Sequence, residues 1–239
     1  MNVKRRLKRI KSIILDAIYP PRCSGCGKLL SEGAVCDKCR KSLVPIASPV
    51  CHKCGASLKD HDPLTCDQIC AETVAAYYYG GTVKNMILEL KDNVRDGIFD
   101  EFFADVCDKI TSEYADVEFD TAVCVPSYDK GEYNSSAVIA ERLARAFLLD
   151  FDRETLEKCR ETQKQHFLGM DERLTNLSGS IKIGEGKAGS VKGKTVLLCD
   201  DVKSTGATLN ECAKALYSAG AKKVCCISIA VSDYTCNQT

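Results

Sequence analysis

Apolar and polar positions fall into blocks along this chain, and the blocks follow two periods. Short apolar runs bounded by Gly, Pro or charge read as strands, and longer runs with apolar residues three and four apart read as helices. By this rule 73–80 (TVAAYYYG) is a strand closed by Gly80 and Gly81, and 82–91 is a helix with Val83, Met86, Ile87 and Leu90 on one face. A second helix covers 98–114, a short buried strand covers 121–126 and stops at Pro126, and a helix covers 136–150 with Ile139, Leu143 and Ala146 inward. Strands near 155–159 and 181–183 flank a polar loop, 194–200 (KTVLLCD) is a strand, 209–220 is a helix closed by Gly220, and 224–231 (VCCISIAV) is the last strand. Strands alternating with helices predict an α/β fold with a mostly parallel sheet covered on both faces.

Two segments ahead of this body depart from the pattern. In 1–20, Leu7, Ile10, Ile14 and Ile18 recur at helical spacing among Lys4, Arg5, Arg6, Lys8, Arg9 and Lys11. A basic amphipathic helix is expected there, packed on its own protein or touching DNA, a partner or the surface of an anionic membrane. Residues 21–70 have few large apolar positions and eight cysteines: Cys23 and Cys26, Cys36 and Cys39, Cys51 and Cys54, then Cys66 and Cys70. Two thiolates two or three residues apart converge on one tetrahedral Zn²⁺ when the turn between them curls back, and Gly25, Gly27 and Gly55 suit such turns. A segment this short buries little, so metal would supply its folding energy. Two structural four-cysteine zinc sites are expected. Sequential grouping is the simplest arrangement and a cross-braced one the alternative. His52 or His61 are substitutes for a weak fourth ligand, and an iron–sulfur cluster is the rival metal. The three divisions expected are thus 1–20, 21–70 and 71–239.

Composition adjusts this picture in three ways. The formal net charge is zero, but residues 1–70 hold 13 Lys/Arg against 6 Asp/Glu (+7) and 71–239 hold 20 against 27 (−7), so a polyanion would prefer the front. Two zinc-bound four-thiolate sites, each of net charge −2, would cut the front to roughly +3. The other eight cysteines (Cys107, Cys124, Cys159, Cys199, Cys212, Cys225, Cys226, Cys236) are scattered, several in apolar runs, and most are expected to be plain buried side chains. The start carries Asp16 within its apolar part and no small-residue cleavage site, and no apolar run of 18 residues occurs, so a reducing, cytoplasmic setting is expected.

Ligands of parallel sheets bind beyond the carboxyl ends of the strands. Three segments are expected to gather there: 126–135, 160–176 and 200–208. In the last, Asp200 and Asp201 follow the apolar Val196, Leu197 and Leu198, and Ser204, Thr205, Gly206, Ala207 and Thr208 wrap the start of the next helix. Unpaired N–H groups at that helix start, with a glycine that lets the backbone come close, form a phosphate cradle. The carboxylates repel phosphate but accept hydrogen bonds from sugar hydroxyls, with Mg²⁺ softening the repulsion. A phosphorylated ribose suits both halves. The string GKAGSVKGKT (186–195) glances at a nucleotide-binding loop, but residue 188 is alanine where that motif needs glycine and the segment precedes a strand rather than following one.

The string VLLCDDVKSTGAT (196–208) resembles the phosphoribosyl-diphosphate (PRPP) motif of type I phosphoribosyltransferases. Together with the paired cysteines after YPPRC, the segment YYYGGTVKNMILELK and the VP strand end, it resembles the competence protein ComF family across nearly the whole chain. That resemblance implies a type I phosphoribosyltransferase-like domain behind a small N-terminal zinc ribbon, and a role in uptake of transforming DNA, acting on incoming single strands with other uptake proteins. It implies that Asp200 and Asp201 contact ribose hydroxyls and that Lys203, Ser204, Thr205, Gly206, Ala207 and Thr208 hold the 5′-phosphate. It makes 126–134, with Lys130, the diphosphate loop and 160–176 the mobile loop, with Gln165, Arg173 and Asn176 on its recurring polar positions; Lys164 or Arg173 would cover the leaving group if that loop closes. Family members place several basic residues after VP, whereas VPSYDKGEYNSS has only Lys130, beside Asp129 and Glu132.

Three functions follow from these readings. The first is an accessory protein of natural transformation. The second is a Mg²⁺-dependent transferase in which a nitrogenous base displaces diphosphate from C1 of PRPP, with Asp200 and Asp201 steadying an oxocarbenium-like ring. The third is a non-catalytic sensor of PRPP or a nucleotide. His166, the one histidine of the body, is a candidate for proton transfer only in the second.

Overall fold

The structure is a computed structural model and describes residues 20–59, 71–92, 97–127, 133–159 and 179–232. The basic helix expected at 1–20 lies outside the described residues but for Pro20. So do His61, Cys66, Cys70 and Cys236, and the loop residues Lys130, Lys164, Gln165, His166 and Arg173. Among the described residues no helix is long and apolar enough to cross a membrane.

The sheet is built from the apolar runs. Five strands lie in the order β1 (Glu72–Tyr78), β7 (Lys223–Val231), β6 (Thr195–Lys203), β2 (Thr121–Cys124) and β3 (Asp150–Phe151), each parallel to its neighbour. The central strands β6 and β7 are buried along almost their whole length, which is why both read as continuous apolar runs. Register aligns Val74 with Ile227, Val196 with Val224, and Cys124 with Cys199.

Alternation along β6 divides the core in two. Leu197 and Cys199 face a cluster that holds Val83, Met86 and Ile87 of α2 (Gly81–Lys91), Phe102, Val106 and Ile110 of α3 (Asp100–Glu113), and Ile139 and Leu143 of α4 (Ser135–Phe147). Val196 and Leu198 face the other side, against Leu209, Cys212, Ala213 and Leu216 of α5 (Ala207–Ser218). A separate antiparallel ribbon, β4 (Leu156–Lys158) with β5 (Ile181–Ile183), adds Leu156 and Ile181 to that second cluster.

Three sequence expectations change. The strand expected to end at 200 runs on to Lys203, because Asp201 and Lys203 find partners inside the fold. The helix expected to reach 150 stops at Phe147, where Leu148 turns left-handed at φ 57°, and Asp150 begins β3. Ala146 is exposed, and Ala140 and Ala144 are the alanines that pack inward. Among the scattered cysteines, Cys124, Cys199, Cys212, Cys225 and Cys226 are buried as expected, whereas Cys107 is half-buried and Cys159 exposed.

The cysteine-rich segment lies along the open edge of β1. Ile46 N–H donates to Ala76 O at 2.7 Å and Thr73 N–H donates to His52 O at 2.6 Å. From α3, the buried Lys109 ammonium donates to Ile46 O at 2.7 Å, and Glu113 accepts from Val50 N–H at 3.2 Å. The segment therefore satisfies backbone groups that an edge strand would otherwise present to solvent or to another chain.

Candidate ligand cavity and metal centre

The cysteine-rich segment contains one turn twice. In the first copy Cys23 N–H donates to Lys28 O at 2.8 Å, and Gly27 N–H donates to Cys23 O at 2.7 Å. In the second, Cys51 N–H donates to Ala56 O at 2.8 Å, and Gly55 N–H donates to Cys51 O at 2.7 Å. Gly27 and Gly55 both sit at positive φ, 74° and 88°, which glycine adopts without steric cost. Bridges Arg22–Leu29 and Val50–Ser57 close the two turns in the same way. The repeat is visible in PRCSGCGKLL against PVCHKCGASL, once the cysteine pairs are aligned.

The first copy is completed by α1 (Asp37–Lys41), which carries Cys39 and follows Cys36. The four sulfurs of Cys23, Cys26, Cys36 and Cys39 lie within 4.8 Å of one another, and Cys26 and Cys36 are 3.8 Å apart. Zinc–sulfur bonds of about 2.3 Å in a tetrahedron require sulfurs about 3.8 Å apart, so the set fits one structural zinc and is grouped sequentially. The electrostatics agree. Burial raises the Cys23 thiol, but backbone N–H groups of Cys36, Cys26 and Gly25 outweigh it and bring it to about 6. Burial and contact with the three other sulfurs push Cys39 up to about 12. Four crowded thiols resist full ionisation until a cation joins them. His52, an expected substitute ligand at the Cys66/Cys70 end that lies outside the described residues, has Nε2 3.4 Å from Glu113 and Nδ1 3.7 Å from Glu72.

The second candidate is a cavity of about 540 Å³ at the carboxyl ends of β2 and β6. From β2 the chain passes through α4 on one face towards β3, and from β6 it passes through α5 on the other face towards β7. The cavity therefore sits where the winding direction reverses, the place where open parallel sheets bind ligands.

Asp200 and Asp201 emerge there next to one another on β6, and each is met by a serine from the first turn of α4. Ser136 Oγ donates to Asp200 Oδ1 at 2.9 Å, and Ser135 Oγ donates to Asp201 Oδ2. Asn134 sets those serines by capping α4: its Oδ1 accepts from Ser136 N–H at 3.0 Å and its Nδ2 donates to Val125 O at 3.0 Å. Lys91, the last residue of α2, places its ammonium 2.8 Å from Asp201 Oδ1. Burial, then the neighbouring Asp201 charge, raises the Asp200 carboxyl to about 7. Desolvation works against the Lys91 ammonium, but Asp201, with Asp200 and Tyr79, outweighs it and raises its pKa.

Ser204, Thr205, Gly206, Ala207 and Thr208 line the cavity beside these acids. Gly206 caps α5 at φ 79°, and Thr205 Oγ1 accepts from Ala207 N–H at 3.3 Å. Lys203 also lines the cavity, but its ammonium reaches the second cysteine turn and donates to Cys54 O at 3.3 Å. The sequence puts Ser135 in the 126–135 segment expected at the ligand end and Lys91 at the end of YYYGGTVKNMILELK, but it gives neither of them, nor Ser136, a role. Only their nearness to Asp200 and Asp201 marks them, and that is a product of the fold.

A phosphoribosyl transferase domain model matches residues 107–234, and a double zinc ribbon domain model matches residues 14–73. The DNA utilization protein YhgH of Escherichia coli (strain K12) is 30% identical over 109 residues, covering 44% of this chain and 46% of YhgH. The ribose-phosphate pyrophosphokinase of Saccharolobus solfataricus is 29% identical over 113 residues, covering 43% of this chain and 39% of that protein. The chain thus aligns with less than half the length of these curated relatives. Phosphoribosylpyrophosphate synthetase from Mycobacterium smegmatis superposes with a TM-score of 0.35 at 21% identity, covering 56% of this chain and 39% of that one. With its parallel sheet, switch-point cavity and four-cysteine cluster, the chain belongs to the phosphoribosyl transferase domain family, as a ComF-like protein with a zinc-binding cysteine segment ahead of that domain.

Proposed function

We propose that this chain is a DNA-utilization protein of ComF type whose cavity binds PRPP or a related ribose phosphate, and whose basic front contacts single-stranded DNA. The observation that carries the ligand is the pairing of Asp200 and Asp201 with Ser136 and Ser135 beside the Gly206 turn. Hydroxyl-accepting carboxylates next to a helix start with orphan N–H groups match a sugar joined to a phosphate. The carboxylate oxygens suit a hard cation, so Asp200 would hold Mg²⁺ arriving with the ligand, and the metal would neutralise phosphate charge there. The DNA half rests on the positive balance of residues 1–70, formally +7 and roughly +3 with two zinc sites loaded, and on the name of the YhgH relatives. The repeated turn at Cys51 and Cys54 supports a second zinc completed by Cys66 and Cys70.

The test is titration of a labelled single strand at rising salt, with and without PRPP. Binding that falls steeply with salt supports the DNA half, and absence of binding at low salt removes it.

A second reading, phosphoribosyl transfer to a base, is favoured by Lys158 of the β4–β5 ribbon lining the same cavity. In that reading the chain's residues act by holding the ribose and excluding water. Release of diphosphate on adding a base decides it.

A further inference from the structure

We propose that Lys91 is the residue that grips the diphosphate of the ligand, and that Asp201 serves as its holder while Asp200 reads the ribose hydroxyls. This rests on the ribose-phosphate reading of the cavity.

The argument starts from β6. The two acids follow one another on β6, but their partners differ: Asp201 reaches Lys91 at the end of α2 and Ser135, whereas Asp200 reaches Ser136. The two acids are therefore not equivalent. Both oxygens of Asp201 are engaged, Oδ1 by Lys91 and Oδ2 by Ser135. The hydrogen bonds that Asp200 accepts from Ser136 Oγ and Asp201 N–H both end on Oδ1.

In a phosphoribosyl diphosphate the 5′-phosphate and the diphosphate leave the ring from opposite ends. With the 5′-phosphate on the Gly206 turn, the diphosphate falls on the far side of the acids, towards α2 and the start of α4. Among the described residues Lys91 is the cation there, and its side chain is 44% exposed, enough to leave Asp201 for an incoming anion. The other two lysines lining the cavity among the described residues are elsewhere: Lys158 on the β4–β5 ribbon, and Lys203 with its ammonium on Cys54 O. The α4 N-terminus, capped by Asn134, adds a favourable dipole on the same side. This also answers the shortage of basic residues after Pro126, because the charge comes from a different element.

The experiment is calorimetric titration of the zinc-loaded protein in Mg²⁺ with PRPP and, separately, with ribose 5-phosphate, which lacks the diphosphate. Lys91→Met is expected to weaken PRPP about tenfold or more and to change ribose 5-phosphate less than about twofold. Lys91→Arg is expected to restore most of the loss. Equal weakening of both ligands by Lys91→Met would make Lys91 a counter-ion of Asp201 alone and overturn the inference, leaving the ribose-phosphate reading in place. Failure of the unaltered protein to bind either ligand would overturn both.

Discussion

The cysteine-rich segment and the parallel sheet are held together by different physics, yet they share one apolar cluster. The sheet buries β6 and β7 between two apolar clusters, the first of which also takes in Val35, Ile46 and Val50 of the segment. The segment has four sulfurs within 4.8 Å and few large apolar residues, so its order depends on a cation. Its second turn is nonetheless stitched to β1 and to Lys203 of the ligand-binding strand. A module whose order depends on metal is thus also a wall of the sheet's core.

Removing zinc should have the largest effect. Apparent zinc-binding energies in small sites are of order 10 kcal/mol, so Cys36→Ser or chelation should unfold the segment while circular dichroism retains the helices of the sheet domain. Exposure of the β1 edge should then appear as aggregation in light scattering. A cooperative loss of the whole fold would show that the two regions are one unit.

Next come the acids. Asp200→Asn is expected to weaken PRPP about tenfold or more in calorimetry, with thermal stability kept or raised. The sign of the stability effect follows from the raised carboxyl. Its neutral form is favoured in the folded chain, so its contribution to stability is complete below the unfolded carboxylate range near ~4 and is lost as pH rises through about 7. Melting temperatures should therefore favour Asp200→Asn over the unaltered protein more at pH 8 than at pH 5. Ligand binding that uses the ionised carboxylate should strengthen over the same rise.

A smaller effect is expected at the seam. Lys203→Met removes a buried ammonium from Cys54 O and should cost about 1–3 kcal/mol by urea denaturation. The smallest is Arg40→Ala. Arg40 donates to Glu101 at 2.7 and 2.6 Å but is half exposed, so the loss should stay within about 1 kcal/mol.

The parts legible in the sequence are those coded locally. Cysteine spacing marks the first metal cluster, and apolar runs mark β1, β2, β6 and β7. Strand β3 has two residues, too few for any period to show. The end of β6 is hidden because charge normally stops a buried strand, and here Lys91, Ser135 and Cys54 O satisfy Asp201 and Lys203. Lys91 reads as an ordinary surface lysine at a helix end until the fold brings α2 against β6.

The central claim is a ribose-phosphate site at the switch point between β2 and β6. Its most direct test is calorimetric titration of PRPP into the zinc-loaded protein with Mg²⁺, beside Asp200→Asn. The account predicts one site per chain, with affinity reduced about tenfold or more in the variant. Equal affinity in both proteins, or no heat at millimolar PRPP, would contradict it.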